Sequence, residues 1–455
     1  MNKNIKSTPE QTNISAVWPK PAYAWYMTIL LMFLYMFSFL DRTIIVLLIE
    51  PIKRDLHLTD TDVSLLYGFA FAVFYTLMGI PIARLADTKN RGKIIAAGVL
   101  FWSLMTAFCG LAKNFTMLFA ARVGVGVGEA TLSPAAYSLI SDSFPEEKRA
   151  KAMSVYTMGL FMGAGLALLL GGQVIGWVEQ IGTVTLPIIG EIYGWQLTFI
   201  AVGAPGIVFF LLALALREPP RQGVTAGNTQ GVPLKEVMTW FAQRKRFYLS
   251  FYLAMAFLTL YSYSLSAWTP SFFIRTHDWT IMQVSQNYGL VYLLFGPAGI
   301  FAGGWIASRR AMRGDPVASA RMAVISSAGL LIPAATMTMM DSAWSSLGII
   351  AIIKFVSGLP LGVAMAAVHE ITPNRLRAQA VAIYLFTVNI IGLGTGPTIV
   401  ALITDYGFGD PLALRYSLAI VGVIACALAL VLSVYAMGQL RLLKQELASA
   451  SEKEL

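Results

Sequence analysis

The sequence predicts an all-α membrane protein in which twelve transmembrane helices form two six-helix bundles. Three observations predict it. Of the 455 residues, 57% are hydrophobic and 13% charged, whereas soluble domains are about half apolar and about a quarter charged. Twelve runs are long and apolar enough to cross a bilayer, which takes roughly 20 residues. The charges between the runs alternate in density from one loop to the next.

The runs cover residues 23–49, 63–85, 94–112, 117–140, 152–178, 195–216, 247–274, 287–308, 322–340, 345–368, 378–403 and 416–437. With both termini in the cytoplasm, the inner segments hold 25 of the 33 Lys and Arg residues. The outer loops hold five, and Arg42, Arg122 and Lys354 lie within runs. An excess of basic residues on one side sets orientation, so the chain is expected to be a multi-pass protein with both ends cytoplasmic. Short loops and the lack of an apolar leader point to a bacterial inner membrane. The expected organisation is a cytoplasmic tail (1–22), a first bundle (23–216), a linker with an interfacial helix (217–246), a second bundle (247–437) and a cytoplasmic tail (438–455).

Several function classes fall away. The net charge of +9 is spread between spans rather than gathered in a stripe, so no nucleic-acid partner is expected. Cys109 and Cys426 both lie in apolar runs, which excludes a disulfide framework. Gly124, Gly126 and Gly128 follow no strand and are not a nucleotide fingerprint. His57, His277 and His369 build neither a metal centre nor a catalytic triad. No enzyme activity and no cofactor are expected.

The two halves share a repeat. Pro145, Arg149, Ala150, Ala152 and Tyr156 coincide with Pro373, Arg377, Ala378, Ala380 and Tyr384 at an offset of 228. A second pairing at offset 221 joins the second run to the eighth, each followed by a basic loop (DTKNRGK and SRRAMRGD). Ala83-Arg-Leu-Ala-Asp87-Thr-Lys-Asn-Arg91-Gly92-Lys93 resembles the first-half loop signature of the major facilitator superfamily, with Ala83 in place of its leading glycine. Arg122-Val-Gly124-Val-Gly126-Val-Gly128-Glu129-Ala130 is similar to its fourth-span signature. Phe39-Leu40-Asp41-Arg42, the RVGVGVGEA run and FWSLMTAFCGLA resemble Spinster-type lysolipid and sphingolipid transporters. The resemblance implies a monomeric transporter among membrane lipids, working by alternating access on a lipid-like, amphipathic solute. It also implies a central cavity lined by the first, fourth, seventh and tenth helices, and Asp87 and Arg91 as a conformational latch.

Ionisable groups at mid-membrane are costly and mark pathways. Asp41, Arg42, Arg122, Glu129 and Lys354 lie well inside runs. At 1.5 Å per residue, Arg122 sits about 8 Å, Asp41 about 12 Å and Glu129 about 18 Å below the outer surface. Arg122 and Glu129, seven residues apart, share a helix face, and across the implied cavity Asp41 approaches Arg122. Burial and a neighbouring arginine act on a carboxylate in opposite directions, which suits Asp41 and Glu129, with Arg42 and Arg122, to a proton-coupling switch. A static ion pair fixing helix registry is the other reading of these charges. Arg42, Arg122, Glu129 and Lys354 are candidate substrate contacts, Lys354 for an anionic headgroup. Tyr261, Ser264, Trp268 and Thr269 offer hydrogen bonds from the seventh run, where Trp268 and Thr269 align with Leu40 and Asp41. A small organic anion remains the alternative substrate, because the same three cations would serve a carboxylate.

Overall fold

In the computed structural model, residues 18–186, 190–221 and 234–454 are described. The expected tail residues 1–17 and the linker residues 222–233 fall outside them. Among the described residues, eleven helices are long and apolar enough to cross a membrane: Pro21–Leu47, Asp60–Thr88, Arg91–Cys109, Phe115–Ser143, Glu147–Ile181, Gly194–Leu214, Lys245–His277, Ile281–Met312, Ala318–Met339, Gln379–Phe408 and Pro411–Glu446. The tenth expected run makes a twelfth crossing from Ala343–Gly358, a turn at Pro360, and Ala364–His369. A proline cannot donate the helical hydrogen bond and crowds the preceding turn, so the run expected to be continuous over 345–368 is interrupted. An even number of crossings places both termini on one face, here called the terminal face.

The fourth crossing is also divided, into Phe115–Glu129 and Leu132–Ser143. Its glycines explain where it sits. A Cβ on Gly126 would lie 2.8 Å from the Phe71 carbonyl oxygen, and one on Gly128 would lie 2.7–3.0 Å from Trp102. Small residues let backbones close to this range, the usual means of helix packing in lipid. The second and eleventh crossings contain π-helical turns at Leu65–Phe69 and Asn389–Thr395. These turns meet each other: a Cβ on Gly68 would stand 2.8 Å from the Leu393 carbonyl. The two copies of the repeat occupy equivalent places, opening the fifth and eleventh crossings at Glu146 and Arg377. One feature departs from an all-helical chain. A short hairpin pairs Val184–Leu186 with Gly190–Ile192 opposite the terminal face, and Leu234–Gln243 forms the expected helix in the linker.

The halves are clasped on the face away from the termini. Arg275, at the end of the seventh crossing, donates from Nε to Glu50 Oε1 at 2.9 Å. Its Nη1 and Nη2 donate to the two Asp60 carboxylate oxygens at 2.7 Å each. Lys53 also bonds to Asp60, which is fully buried. Beside this cluster, Asp405 accepts from the Thr61 backbone N–H at 2.7 Å and its hydroxyl at 2.6 Å, and Ser64 donates to Thr398 at 3.2 Å. Among the described residues, no hydrogen bond or ion pair joins the two halves at the terminal face. The molecule is therefore closed on the far face.

Removing one partner of a buried, hydrogen-bonded ion pair costs about 3–5 kcal/mol. Arg275→Ala leaves Asp60 with Lys53 alone and is expected to weaken the far-face closure by a few kcal/mol. Spin labels at Thr183 and Leu412, one on each half of that face, check this: the variant should gain a longer-distance population. An unchanged distance distribution would refute the clasp.

Candidate functional site

The first crossing carries Asp41 and Arg42 on adjacent positions, about 100° apart around the helix. They consequently meet different neighbours. Arg42 Nη2 donates to Glu129 Oε2 at 2.6 Å, with both residues nearly excluded from solvent. Its guanidinium also lies over Phe71 at 4.3 Å, Phe39 at 4.7 Å and Tyr75 at 5.3 Å. Aromatic faces attract a cation, more strongly when both are dry. Glu129 is the last residue before the fourth crossing divides.

Asp41 is fully buried, and neither of its carboxyl oxygens has a hydrogen-bond partner. The expected pairing of Asp41 with Arg122 takes a different form here. Arg122 Nη1 donates to the backbone carbonyl of Asp41 at 3.2 Å, and Nε to the carbonyl of Leu66 at 3.4 Å. Its Nη2 is buried without a partner. Thus three unsatisfied groups, the Asp41 carboxyl, Arg122 Nη2 and the Trp102 indole N–H, belong to neighbouring residues.

The second half supplies Lys354, 4% exposed. Its ammonium donates to the Ser266 hydroxyl at 3.2 Å and sits 4.0 Å from the Tyr292 ring centre and 5.7 Å from that of Tyr288. Ser266 and Tyr292 share a hydrogen bond of 3.2 Å. No carboxylate pairs with Lys354 among the described residues. Tyr263, on the same half-buried face of the seventh crossing as Ser266, lies within electrostatic range of Arg42. The cationic groups of the two halves therefore face a common centre.

Of the other seventh-crossing candidates, Tyr261, Ser264 and Trp268 point elsewhere. Tyr261 packs on Gly422 of the twelfth crossing. Ser264 donates to its own helix at Leu260 O, 2.8 Å away. The Trp268 indole N–H donates to the Pro397 carbonyl at 2.9 Å, and the buried Thr269 hydroxyl has no partner. The structure brings Ser266, Tyr263, Tyr288 and Tyr292 to the centre instead. Spacing from Ser266 to Tyr263, one helical turn, was the available sequence signal. Of the latch pair, Arg91 is fully buried. Its backbone N–H and Nε donate to Glu218 at 2.8 and 2.6 Å, and Nη1 to Ser138 at 2.7 Å and Asp142 at 2.5 Å. Asp87 is exposed and takes part in none of the described hydrogen bonds or ion pairs.

Two helical bundles closed at one face, with unpaired charge buried where they meet, define a membrane transporter. The family model of the Major Facilitator Superfamily matches residues 31–397, and the chain belongs to that superfamily. It is 28% identical over 390 residues to an MFS-type efflux pump of Mycolicibacterium smegmatis, covering 85% of each chain. It is 27% identical to protein spinster homolog 1 of Homo sapiens, covering 82% of this chain and 72% of that one. A D-galactonate transporter of Escherichia coli is 23% identical, covering 89% of this chain and 95% of that one. The solved structure of a bacterial homolog of the human lysosomal transporter Spinster, inward-facing and unoccupied, superposes with a TM-score of 0.78. It is 27% identical, with 94% of this chain and 99% of that one covered. The chain is thus a transporter of the superfamily, similar to Spinster proteins, and not an enzyme.

Glu129 is held in place through the glycine contacts beside it. Gly128→Ala would force a methyl onto the Trp102 backbone, an overpacking worth about 1–3 kcal/mol. It is expected to melt several degrees lower in detergent, whereas Gly348→Ala, where a Cβ meets nothing within 4 Å, is expected to be neutral. Thermal unfolding of both variants checks the contrast.

Proposed function

We propose that the chain is a proton-coupled transporter of an amphipathic, lipid-like solute, with its terminal face in the cytoplasm of a bacterial inner membrane. It acts as a monomer by alternating access, the units 23–216 and 247–437 rocking about the solute while the linker 217–246 and the tails 1–22 and 438–455 remain cytoplasmic. The observation that carries the reading is the buried, unpartnered carboxyl of Asp41 beside the Arg42–Glu129 pair. An isolated charge out of water is costly, and taking up a proton removes the cost. Neutral Asp41 leaves Arg122 on backbone carbonyls. Ionised Asp41 draws the free Nη2 of Arg122 and pulls that arginine from Leu66 of the second crossing. Proton binding is thereby tied to the contacts between the first, second and fourth crossings.

Lys354, without a carboxylate of its own, supplies the counter-charge for an anionic headgroup, and Tyr292, Ser266 and Tyr263 supply polar contacts around it. Tyr35 and Tyr156, stacked with ring centres 4.9 Å apart, add an aromatic wall suited to an acyl chain. Asp87, exposed at the terminal face, serves as a latch when that face closes. A second reading, transport of a small organic anion, draws on the same unpaired Lys354 and on the likeness to the galactonate transporter.

The test is flux of a labelled lysolipid in proteoliposomes with and without a pH gradient. Wild type should accumulate the lipid only with the gradient, and Asp41→Asn should abolish the gradient's effect. Gradient-driven flux undiminished in Asp41→Asn would refute the coupling role. Lys354→Ala is expected to raise the KM for a lysolipid at least about tenfold, with Lys354→Arg partly restoring it. Galactonate or gluconate flux without lysolipid flux would establish the second reading.

A further inference from the structure

The loops after the second and eighth crossings arise from matching positions of the repeat, yet they use their arginines differently. In the first half Arg91 is buried and consumed by Glu218 and Asp142. In the second half Arg309, Arg310 and Arg313 line a cavity of about 630 Å³ at the terminal face, with Trp305, Asp315 and Arg321. The one carboxylate there is already taken. Arg321 donates to both Asp315 oxygens at 2.6 and 3.1 Å, and that bonding holds the Asp315 carboxyl below its ordinary range. Among the described residues, Arg309, Arg310 and Arg313 form no hydrogen bond or ion pair with a carboxylate, and Arg310 feels Asp315 only at longer range. The cavity carries about three uncompensated positive charges.

Its approach is equally specific. Phe301, Trp305 and Arg309 follow at four-residue spacing on one face of the eighth crossing, so they stack along the helix. Phe301 is 79% and Trp305 52% exposed, and the Arg309 guanidinium lies 4.1 Å from the Trp305 ring centre. From the membrane depth toward the terminal face, the helix therefore presents phenyl, indole and then guanidinium. Aromatic residues of this kind sit at the headgroup level, and arginine forks match phosphate oxygens bidentately.

We propose that this cavity binds the phosphate headgroup of an anionic phospholipid, whose acyl chains run along Trp305 and Phe301. Two phosphates of a cardiolipin, or one of phosphatidylglycerol, take Arg309, Arg310 and Arg313, while Arg321 keeps the loop in shape through Asp315. Headgroup and chain are both required, because the cavity offers charge and the helix face offers apolar surface.

The experiment is native mass spectrometry of the full-length chain in detergent, titrated with cardiolipin, phosphatidylglycerol or phosphatidylcholine. Wild type is expected to retain the anionic lipids over phosphatidylcholine. Arg309→Gln, Arg310→Gln and Arg313→Gln together should cut cardiolipin affinity about tenfold or more, basic residues each adding appreciably to binding of anionic lipid. A control removing the same charge elsewhere on that face, Lys148→Gln, Arg246→Gln and Arg441→Gln, should change it by less than about twofold. Equal losses in both triple variants would mean diffuse attraction and overturn the site. So would equal retention of all three lipids by wild type. If millimolar inorganic phosphate displaced cardiolipin as well as phosphatidylglycerol does at the same concentration, the ligand would be a free anion and not a lipid. Melting curves check folding of the triple variant. Should it fail to fold, the pair Arg310→Gln and Arg313→Gln replaces it, with a loss of at least about threefold expected.

Discussion

The Arg42–Glu129 contact sets the terms for the central region. A guanidinium and a carboxylate both out of water are tolerable only when they are paired and hydrogen-bonded, so the first and fourth crossings are tied together at this level. Three rings from the first and second crossings close over Arg42 and complete its surroundings. The fourth crossing reaches the required distance because its glycines admit Phe71 and Trp102 backbones at van der Waals range. The charge pair thus depends on the glycine ladder, and the ladder's spacing makes sense only with the pair. Helix division at Ala130 follows from the same place, where Glu129 turns its side chain across to the neighbouring helix.

The far-face clasp and the central charges lie at different depths of the same two bundles. Arg275, Asp60 and Glu50 hold the halves together where Asp405 and Thr61 also meet, while nothing comparable joins the terminal ends of the described residues. Asp41 sits away from that clasp, among contacts within the first half. A ligand or proton shifts a conformational equilibrium only through a difference in its interaction with the two states. The Asp41 carboxyl supplies a candidate for that difference, because its partner in the charged form is a residue that now holds Leu66.

Much of this was legible in the sequence, and the shortfalls share one cause. Apolar length identified the crossings, and five ionisable residues within them identified the central positions. Depth followed from rise per residue, but angle around the axis did not. Asp41 and Arg42 differ by one position, so an error in azimuth exchanges their partners, and Glu129 takes Arg42 while Arg122 takes only a backbone oxygen of Asp41. The seventh crossing shows the same difficulty. Hydroxyls occur all round it, and Ser264 and Ser266 each satisfy a carbonyl four residues earlier in their own helix. Their presence therefore did not mark a face, and Ser266 with Tyr263 rather than Ser264 with Trp268 turned to the centre. Pro360 did carry the signal for the break in the tenth crossing, which apolar length alone had hidden.

Duplication followed by divergence accounts for the division of labour between the halves. Where the first half places Leu40 and Asp41, the second places Trp268 and Thr269, and Trp268 is spent on a hydrogen bond to Pro397 in the eleventh crossing. Among the described residues, no carboxylate pairs with Lys354, which stands among hydroxyls and rings. Two half-sites with equal charges would repel a charged solute from one wall or neutralise both. With Glu129 already committed to Arg42, the charges without a salt-bridge partner among the described residues are Lys354 on one side and Asp41 and Arg122 on the other. An anion at Lys354 would compensate one buried cation, whereas a proton at Asp41 would neutralise that carboxyl and leave Arg122 to its backbone carbonyls. The unequal charge of the two walls arises here from the loss of symmetry between two related helices, one keeping Asp41 where the other has Thr269.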